Sequence, residues 1–84
     1  MNRRQTKVLH AVFADPVSGS IPWSDIEGLL LAAGCEVIEG KGSAVRFVKD
    51  GLIAYFHRPH PAKEAKRYQV RDAREYLTKL GVVP

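Results

Sequence analysis

The spacing of hydrophobic residues changes along the chain, and the first clear pattern is helical. Between Ser24 and Ala33 the apolar residues recur every three or four positions, as on one face of an amphipathic helix. Ser24 and Glu27 have the spacing of a capping box, in which two side chains satisfy free backbone N–H groups at a helix start. Gly34 predicts the end of this helix, because glycine readily adopts the left-handed conformation that closes many helices.

Three segments with the patterns of β-strands follow this helix. Cys35 to Glu39 is short and β-prone, and Ala44 to Val48 alternates between apolar residues on one side and Arg46 on the other. The Asp50-Gly51 pair is a strong signal for a tight hairpin turn. Leu52 to His57 then returns as a mostly apolar strand, which we expect to be the central strand of the sheet.

Helices are also predicted at both ends of the chain. Gln5 to Phe13 has a short apolar side, and Asp15-Pro16 follows it, where proline disfavours helical backbone at the preceding residue. The last helix extends from about Gln69 to Leu80, with apolar residues at helical spacing. Between the strands and this helix, Arg58-Pro59-His60-Pro61 must be irregular, because its two prolines cannot support a regular ladder.

This order of elements predicts an α+β fold, namely a two-layer αβββα sandwich in which both helices cover one face of the sheet. Double-stranded-RNA-binding domains have the same plan. We expect one domain over residues 1–84, with a core at about 22–81 and an N-terminal extension, residues 1–20, that adds a short helix.

Composition narrows the range of functions. The chain has 13 Lys and Arg residues against 9 Asp and Glu residues, a net charge of +4 that favours an acidic partner such as nucleic acid. It has neither an apolar stretch long enough to cross a membrane nor the pattern of a signal peptide, so we expect a cytoplasmic protein. The single cysteine, Cys35, excludes an internal disulfide and is expected in the core.

The ordered set of motifs resembles the HicA toxins of bacterial toxin–antitoxin systems. Pro22–Leu30 followed by Gly34 is similar to the first helix of that family, and Gly42-Ser43 with the alternating strand and Pro59-His60-Pro61 are similar to its later motifs. The resemblance covers roughly Trp23 to Leu80. It implies a ribonuclease that cleaves messenger RNA and blocks translation, and a HicB-like antitoxin that covers the active surface. We expect no cofactor.

The resemblance breaks at one position that bears on activity. The family commonly follows Gly-Ser with a histidine that is taken as catalytic, whereas Gly42-Ser43 is followed here by Ala44. A methyl group cannot transfer a proton. Three explanations stay open: a divergent branch that works with other residues, an engineered replacement that silences the toxin, or a naturally inactive relative.

His57 and His60 are the histidines best placed to take part in chemistry. Metal-independent RNA cleavage needs a base for the ribose 2′-hydroxyl and an acid for the leaving 5′-oxygen, and histidine suits both steps. His60 matches the downstream histidine of the family best, so the resemblance favours it as the catalytic residue, with His57 as a second candidate. The alternative is that both histidines shape a surface bend or contact the antitoxin.

Basic side chains from Lys41 onward are candidates for contact with RNA phosphate. Arginine and lysine both bind phosphate, arginine with a fork that grips two oxygens. The alternative is an ordinary solvated charged face. The candidates are Lys41, Arg46, Arg58, Lys63, Lys66, Arg67 and Arg71. Trp23 could stack on a base, although a position in the core is the expected one.

Two other functions are compatible with these features, a non-catalytic RNA-binding module and a purely protein-binding partner. The first predicts RNA affinity that falls with salt, without cleavage. The second predicts tight association with an acidic neighbour and no retention of RNA. A ribonuclease toxin instead predicts growth arrest on expression, relieved by an antitoxin.

Overall fold

Six elements of secondary structure are present in the computed structural model, which describes residues 1–84. They are helices α1 (Arg3–Phe13), α2 (Trp23–Ala32) and α3 (Arg67–Lys79), and strands β1 (Glu36–Glu39), β2 (Ala44–Lys49) and β3 (Leu52–His57). The strands form one antiparallel sheet in the order β1-β2-β3. This arrangement confirms the predicted α+β fold with its additional N-terminal helix. None of the helices is long and apolar enough to span a membrane.

The hydrophobic core lies between one face of the sheet and the helices. Val45 and Phe47 of β2 and Phe56 of β3 are buried there. Trp23, the first residue of α2, packs its ring against Phe56 and Phe47, with centroid separations of 5.1 and 6.4 Å. Trp23 and Cys35 are both buried, as predicted. The residues that lie between these buried positions in β2 and β3 point away from the core. The second face of the sheet is therefore accessible.

Strand β3 is an edge strand, so the prediction that it is central was wrong. Its apolar composition has two sources. Ala54 and Phe56 contribute to the core, whereas Leu52, Ile53 and Tyr55 are exposed. Three consecutive antiparallel strands joined by tight turns place the second one in the middle, and β2 therefore has the clear alternation of a central strand with one buried face.

Helix α2 begins at Trp23, and the predicted capping box does not form. No side chain caps this end of the helix. The Trp23 N–H instead donates to the carbonyl of Lys63 at 2.8 Å, in the segment before α3. This tertiary contact satisfies the N–H of the first helical residue, and the Glu27 carboxylate, which does not form the capping box, is available for other partners.

Helix α1 is fixed to the rest of the structure by apolar packing and by Arg74. Its residues Val8, Leu9 and Val12 are buried. Arg74, on α3, donates from Nε to the Val12 carbonyl at 3.0 Å and from Nη2 to the Ala14 carbonyl at 2.8 Å. These contacts satisfy carbonyl groups that lack partners at the end of a helix. The N-terminal extension is therefore packed against the remaining fold.

Candidate functional site

Ala44, the position at which the resemblance predicts a histidine, lies on the accessible face of the sheet. Ala44 of β2 is directly opposite His57 of β3 in the ladder, and Arg46 is opposite Tyr55. Directly opposed residues of an antiparallel pair project to the same side, with neighbouring Cβ atoms. The imidazole of His57 therefore stands beside the methyl group of Ala44. We call this surface the open sheet face; its residues on β2 and β3 are Ala44, Arg46, Val48, Ile53, Tyr55 and His57.

His57 is held in place through its ring and its backbone. Ser43 Oγ lies 3.2 Å from His57 Nδ1, and the tautomer of the ring decides which atom donates. The Arg58 N–H donates to the Ser43 carbonyl at 2.9 Å, and Gln69 Nε2 donates to the His57 carbonyl at 2.8 Å. Gln69 is only 2% exposed, and its Oε1 accepts from the Lys66 N–H. The hydrogen bond at Nδ1 thus orients the ring, and Nε2 remains free to contact a ligand.

Arg58, the residue after His57, is bound by two carboxylates. Its Nε and Nη2 donate to Glu27 at 2.9 and 3.0 Å, and its Nη1 and Nη2 donate to Glu39 at 2.6 and 2.8 Å. Glu27 also accepts from Trp23 Nε1 at 2.9 Å. The hydrogen bonds from Glu39 and Glu27 raise the pKa of Arg58. Four of its five N–H groups are therefore occupied, which leaves one Nη1 hydrogen for a phosphate that would lie beside two carboxylates.

The contact with Arg58 also lowers the pKa of Glu39, and this predicts acid-dependent stability. A carboxyl group with a lower pKa in the folded state stabilises the fold above its unfolded pKa, and this contribution is lost as the pH falls through the folded value. We therefore expect the loss to occur below the ordinary pKa of 4.5. In urea denaturation between about pH 7 and about pH 3, Glu39→Gln should lose less stability than the wild type.

Glu36→Gln is the matched control for this prediction, because Glu36 lies on the same strand and makes no ion pair. The control should keep the wild-type dependence on pH. If Glu39→Gln and Glu36→Gln lose the same stability on acidification, Glu39 is not responsible for it.

His60 lies in a different part of the surface. It lines a cleft together with Pro59, Pro61 and Lys63, and His57 is not among the lining residues. We call this the His60 cleft. The structure therefore separates the two histidines that the sequence places three positions apart. His57 shares the open sheet face with an arginine and a tyrosine, whereas His60 shares its cleft with Lys63 and with Arg58.

The remaining candidates for phosphate contact are distributed over four regions. Arg46 lies on the open sheet face and Lys41 in the turn before β2, while Lys63 lines the His60 cleft. Arg67, in the first turn of α3, donates from Nε to the Val17 carbonyl at 3.3 Å. All six residues other than Arg58 are exposed, namely Lys41, Arg46, Lys63, Lys66, Arg67 and Arg71.

Sequence reasoning missed the residues that position His57 and Arg58. Glu27 and Glu39 converge on Arg58 only because α2 packs against the sheet, and no local spacing reports that contact. Gln69 had a usable signal, since a glutamine three residues after a helix cap commonly turns back to the cap backbone. Its second contact, to the His57 carbonyl, has no signature in the sequence.

Similarity to a known protein family extends over most of the chain. The family described as "HicA toxin of bacterial toxin-antitoxin" matches residues 23–82. No curated protein and no solved structure is significantly similar to the chain. The matched range contains both histidines, Ala44 and the Arg58 contacts, and α1 lies outside it. Because the match covers more than half of the chain, the protein belongs to the HicA family of toxins from bacterial toxin–antitoxin systems.

Proposed function

We propose that this toxin is an endoribonuclease that cleaves messenger RNA without a metal ion, acts in the cytoplasm and is neutralised by a HicB-like antitoxin. The observation that carries the proposal is the pairing of Ala44 with His57 across the ladder. An imidazole stands next to the position from which the family's histidine is missing. The exposed site therefore keeps an imidazole, the side chain that most often serves in general acid–base catalysis.

His57 Nε2 is the base in this proposal, and it accepts the proton of a ribose 2′-hydroxyl. The 2′-oxygen then forms a bond to the adjacent phosphorus while the bond to the 5′-oxygen breaks, and the leaving oxygen takes a proton from solvent. Arg46, on the same face, offers a cation to the phosphate oxygens as charge develops. Tyr55, which is 67% exposed, offers a ring on which a base can stack.

Ser43 and Gln69 are positioning residues in this scheme. Ser43 occupies Nδ1, so that the proton-accepting nitrogen faces outward, and Gln69 fixes the backbone from which the ring projects. His60 and Lys63 would contact RNA phosphate outside the reacting bond. The proposal thus moves the catalytic role from His60, which the family resemblance favours, to His57, which the pairing with Ala44 favours.

Ala44 itself favours a second function, which is RNA binding without cleavage. A family member without the usual histidine could bind RNA through Arg46 and Tyr55 and leave it intact. This alternative keeps the salt-sensitive affinity that phosphate contacts produce but predicts no cleavage product.

The Ala44→His variant, expressed from an inducible promoter, tests the proposed function. We expect the wild-type chain to arrest growth and to cleave RNA in the presence of a chelator, with relief by the co-expressed adjacent antitoxin gene. A second imidazole beside His57 supplies the missing acid, so Ala44→His should cleave about 10-fold to 100-fold faster. Ala44→Ser is the control for a small polar side chain at this position and should cleave at the wild-type rate.

Failure of both chains to cut RNA contradicts the enzyme proposal. If both still bind RNA with affinity that decreases steeply with salt, the RNA-binding function is correct instead. A wild-type chain that is harmless beside a toxic Ala44→His variant identifies Ala44 as an inactivating change.

A further inference from the structure

Helix α1, which precedes the family-matched residues, has an unusual distribution of charge. Arg3, Arg4 and Lys7 lie in its first five residues, and the helix contains no aspartate or glutamate. Cations near a helix N-terminus are unfavourable, because the helix dipole is positive at that end. Arg4 is neutralised by Asp25, with Nη2 and Oδ1 2.8 Å apart. Arg3 and Lys7 make no ion pair, and their spacing of four residues places them on one side of the helix.

These two side chains line a cleft between α1 and the segment Ser18–Pro22. The cleft has a volume of about 720 Å³. Ser18 and Ser20 contribute two hydroxyl groups to it, which lie 3.2 Å apart and hydrogen-bond to each other, so that one of them can still donate to a ligand. Asp25 is the acidic residue of the lining, and Arg4 binds its carboxylate. Unpaired cations with nearby hydroxyl donors are the groups that proteins use to bind nucleic-acid phosphates.

The cleft beside α1 adjoins the His60 cleft. Ser20 and Pro22 line both of them. The surface from Arg3 and Lys7 therefore leads past these two residues to His60 and Lys63. Glu64 is the acidic residue of the second cleft. Two adjoining clefts with cations in each suit a chain of phosphates better than one isolated anion.

We propose that Arg3 and Lys7 bind backbone phosphates of an RNA strand that continues from the His60 cleft onto α1. This inference rests on the proposed function, since it takes RNA as the substrate. It gives the N-terminal extension a role outside the family-matched part of the chain. Longer RNA is then held at two places, the family-matched surface and α1.

The Arg3→Gln/Lys7→Gln double variant tests this proposal in the full chain. The probe is a fluorescent single-stranded RNA of about 20 nucleotides, with 2′-O-methyl groups that prevent cleavage by the 2′-oxygen. Binding is followed by fluorescence anisotropy over a range of salt concentrations. We expect affinity to fall about 10-fold at about 0.1 M salt, and the slope of log affinity against log salt to decrease by about 1.4, as loss of two phosphate contacts requires.

Two control variants separate charge from folding. Lys79→Gln removes an exposed cation of α3 that already pairs with Glu75 and should bind RNA like the wild type. Arg3→Lys/Lys7→Arg keeps both charges on α1 and should also bind like the wild type. If the charge-retaining variant is as weak as the Gln variant, the loss comes from α1 folding and the proposal is overturned.

The remaining outcomes distinguish this inference from the proposed function. Unchanged affinity and salt slope in the double variant overturn the role of α1, while cleavage by the wild-type chain upholds the proposed function. Failure of the wild-type chain to bind or cleave any RNA overturns both. Normal RNA binding with loss of antitoxin binding assigns Arg3 and Lys7 to a protein contact and overturns the phosphate site.

Discussion

His57→Ala is expected to lower the rate of RNA cleavage by about 100-fold or more, because removal of a general base typically costs at least that factor. His60→Ala should lower it by less than about 10-fold, as expected for a residue that only contacts phosphate outside the reacting bond. The difference follows from the structure, in which His57 is next to Ala44 on the open sheet face and His60 lies in its own cleft. Cleavage of a labelled RNA under single-turnover conditions measures both rates.

Ser43→Ala distinguishes chemistry from orientation at the same site. It keeps the imidazole but removes the hydroxyl at Nδ1, so the rate should fall about 3-fold to 10-fold and its dependence on pH should change. His57→Gln, which keeps polarity and cannot transfer the proton, should be as inactive as His57→Ala. If His60→Ala abolishes cleavage and His57→Ala does not, the catalytic residue is His60.

Arg58→Met is expected to have the largest effect on stability, a loss of about 2 kcal/mol. The methionine keeps a long apolar side chain but leaves Glu27 without its two charged donors. Glu27 is only 23% exposed, so water replaces those donors incompletely. In a domain of this size the loss corresponds to a fall in the melting temperature of about 8 to 16 °C, measurable by circular dichroism.

Arg46→Met is the matched control. Arg46 is an exposed arginine of β2 and, unlike Arg58, makes no ion pair. We expect it to change stability by less than about 0.5 kcal/mol. Arg58→Lys should be intermediate, since lysine keeps the charge but lacks the fork that reaches two carboxylates. Equal melting temperatures for Arg58→Met and Arg46→Met contradict the role assigned to the two carboxylates.

The sequence contains enough information to predict the pairing of Ala44 with His57. That information lies in the hairpin turn and not in the spacing of His57 and His60. A two-residue turn at Asp50-Gly51 places Lys49 opposite Leu52, and equal steps back along both strands bring Ala44 opposite His57. The alternation of β2 likewise assigns Arg46 to the accessible face. These features are local, so local patterns report them.

Two predictions were wrong, the capping box of α2 and the central position of β3. In both cases contacts between distant segments determined the local structure. At the start of α2, the Trp23 N–H donates to the carbonyl of Lys63, and no side chain caps the helix. The Glu27 carboxylate, which was expected to cap it, accepts from Arg58 instead. The position of β3 depended on strand order and not on its apolar composition. Propensity and spacing describe only neighbours in the sequence. They do not indicate when a polar group will instead bind a partner from a distant segment.

The edge position of β3 also has a consequence for handling the isolated toxin. The outer backbone groups of this strand pair with no other strand of the sheet, and Leu52, Ile53 and Tyr55 expose apolar surface beside them. The segment from Leu52 to Phe56 contains no charged residue or proline, which are the usual protections of an edge against other chains. Pairing of this edge with a second copy of the chain is therefore the route by which we expect the isolated protein to associate at high concentration.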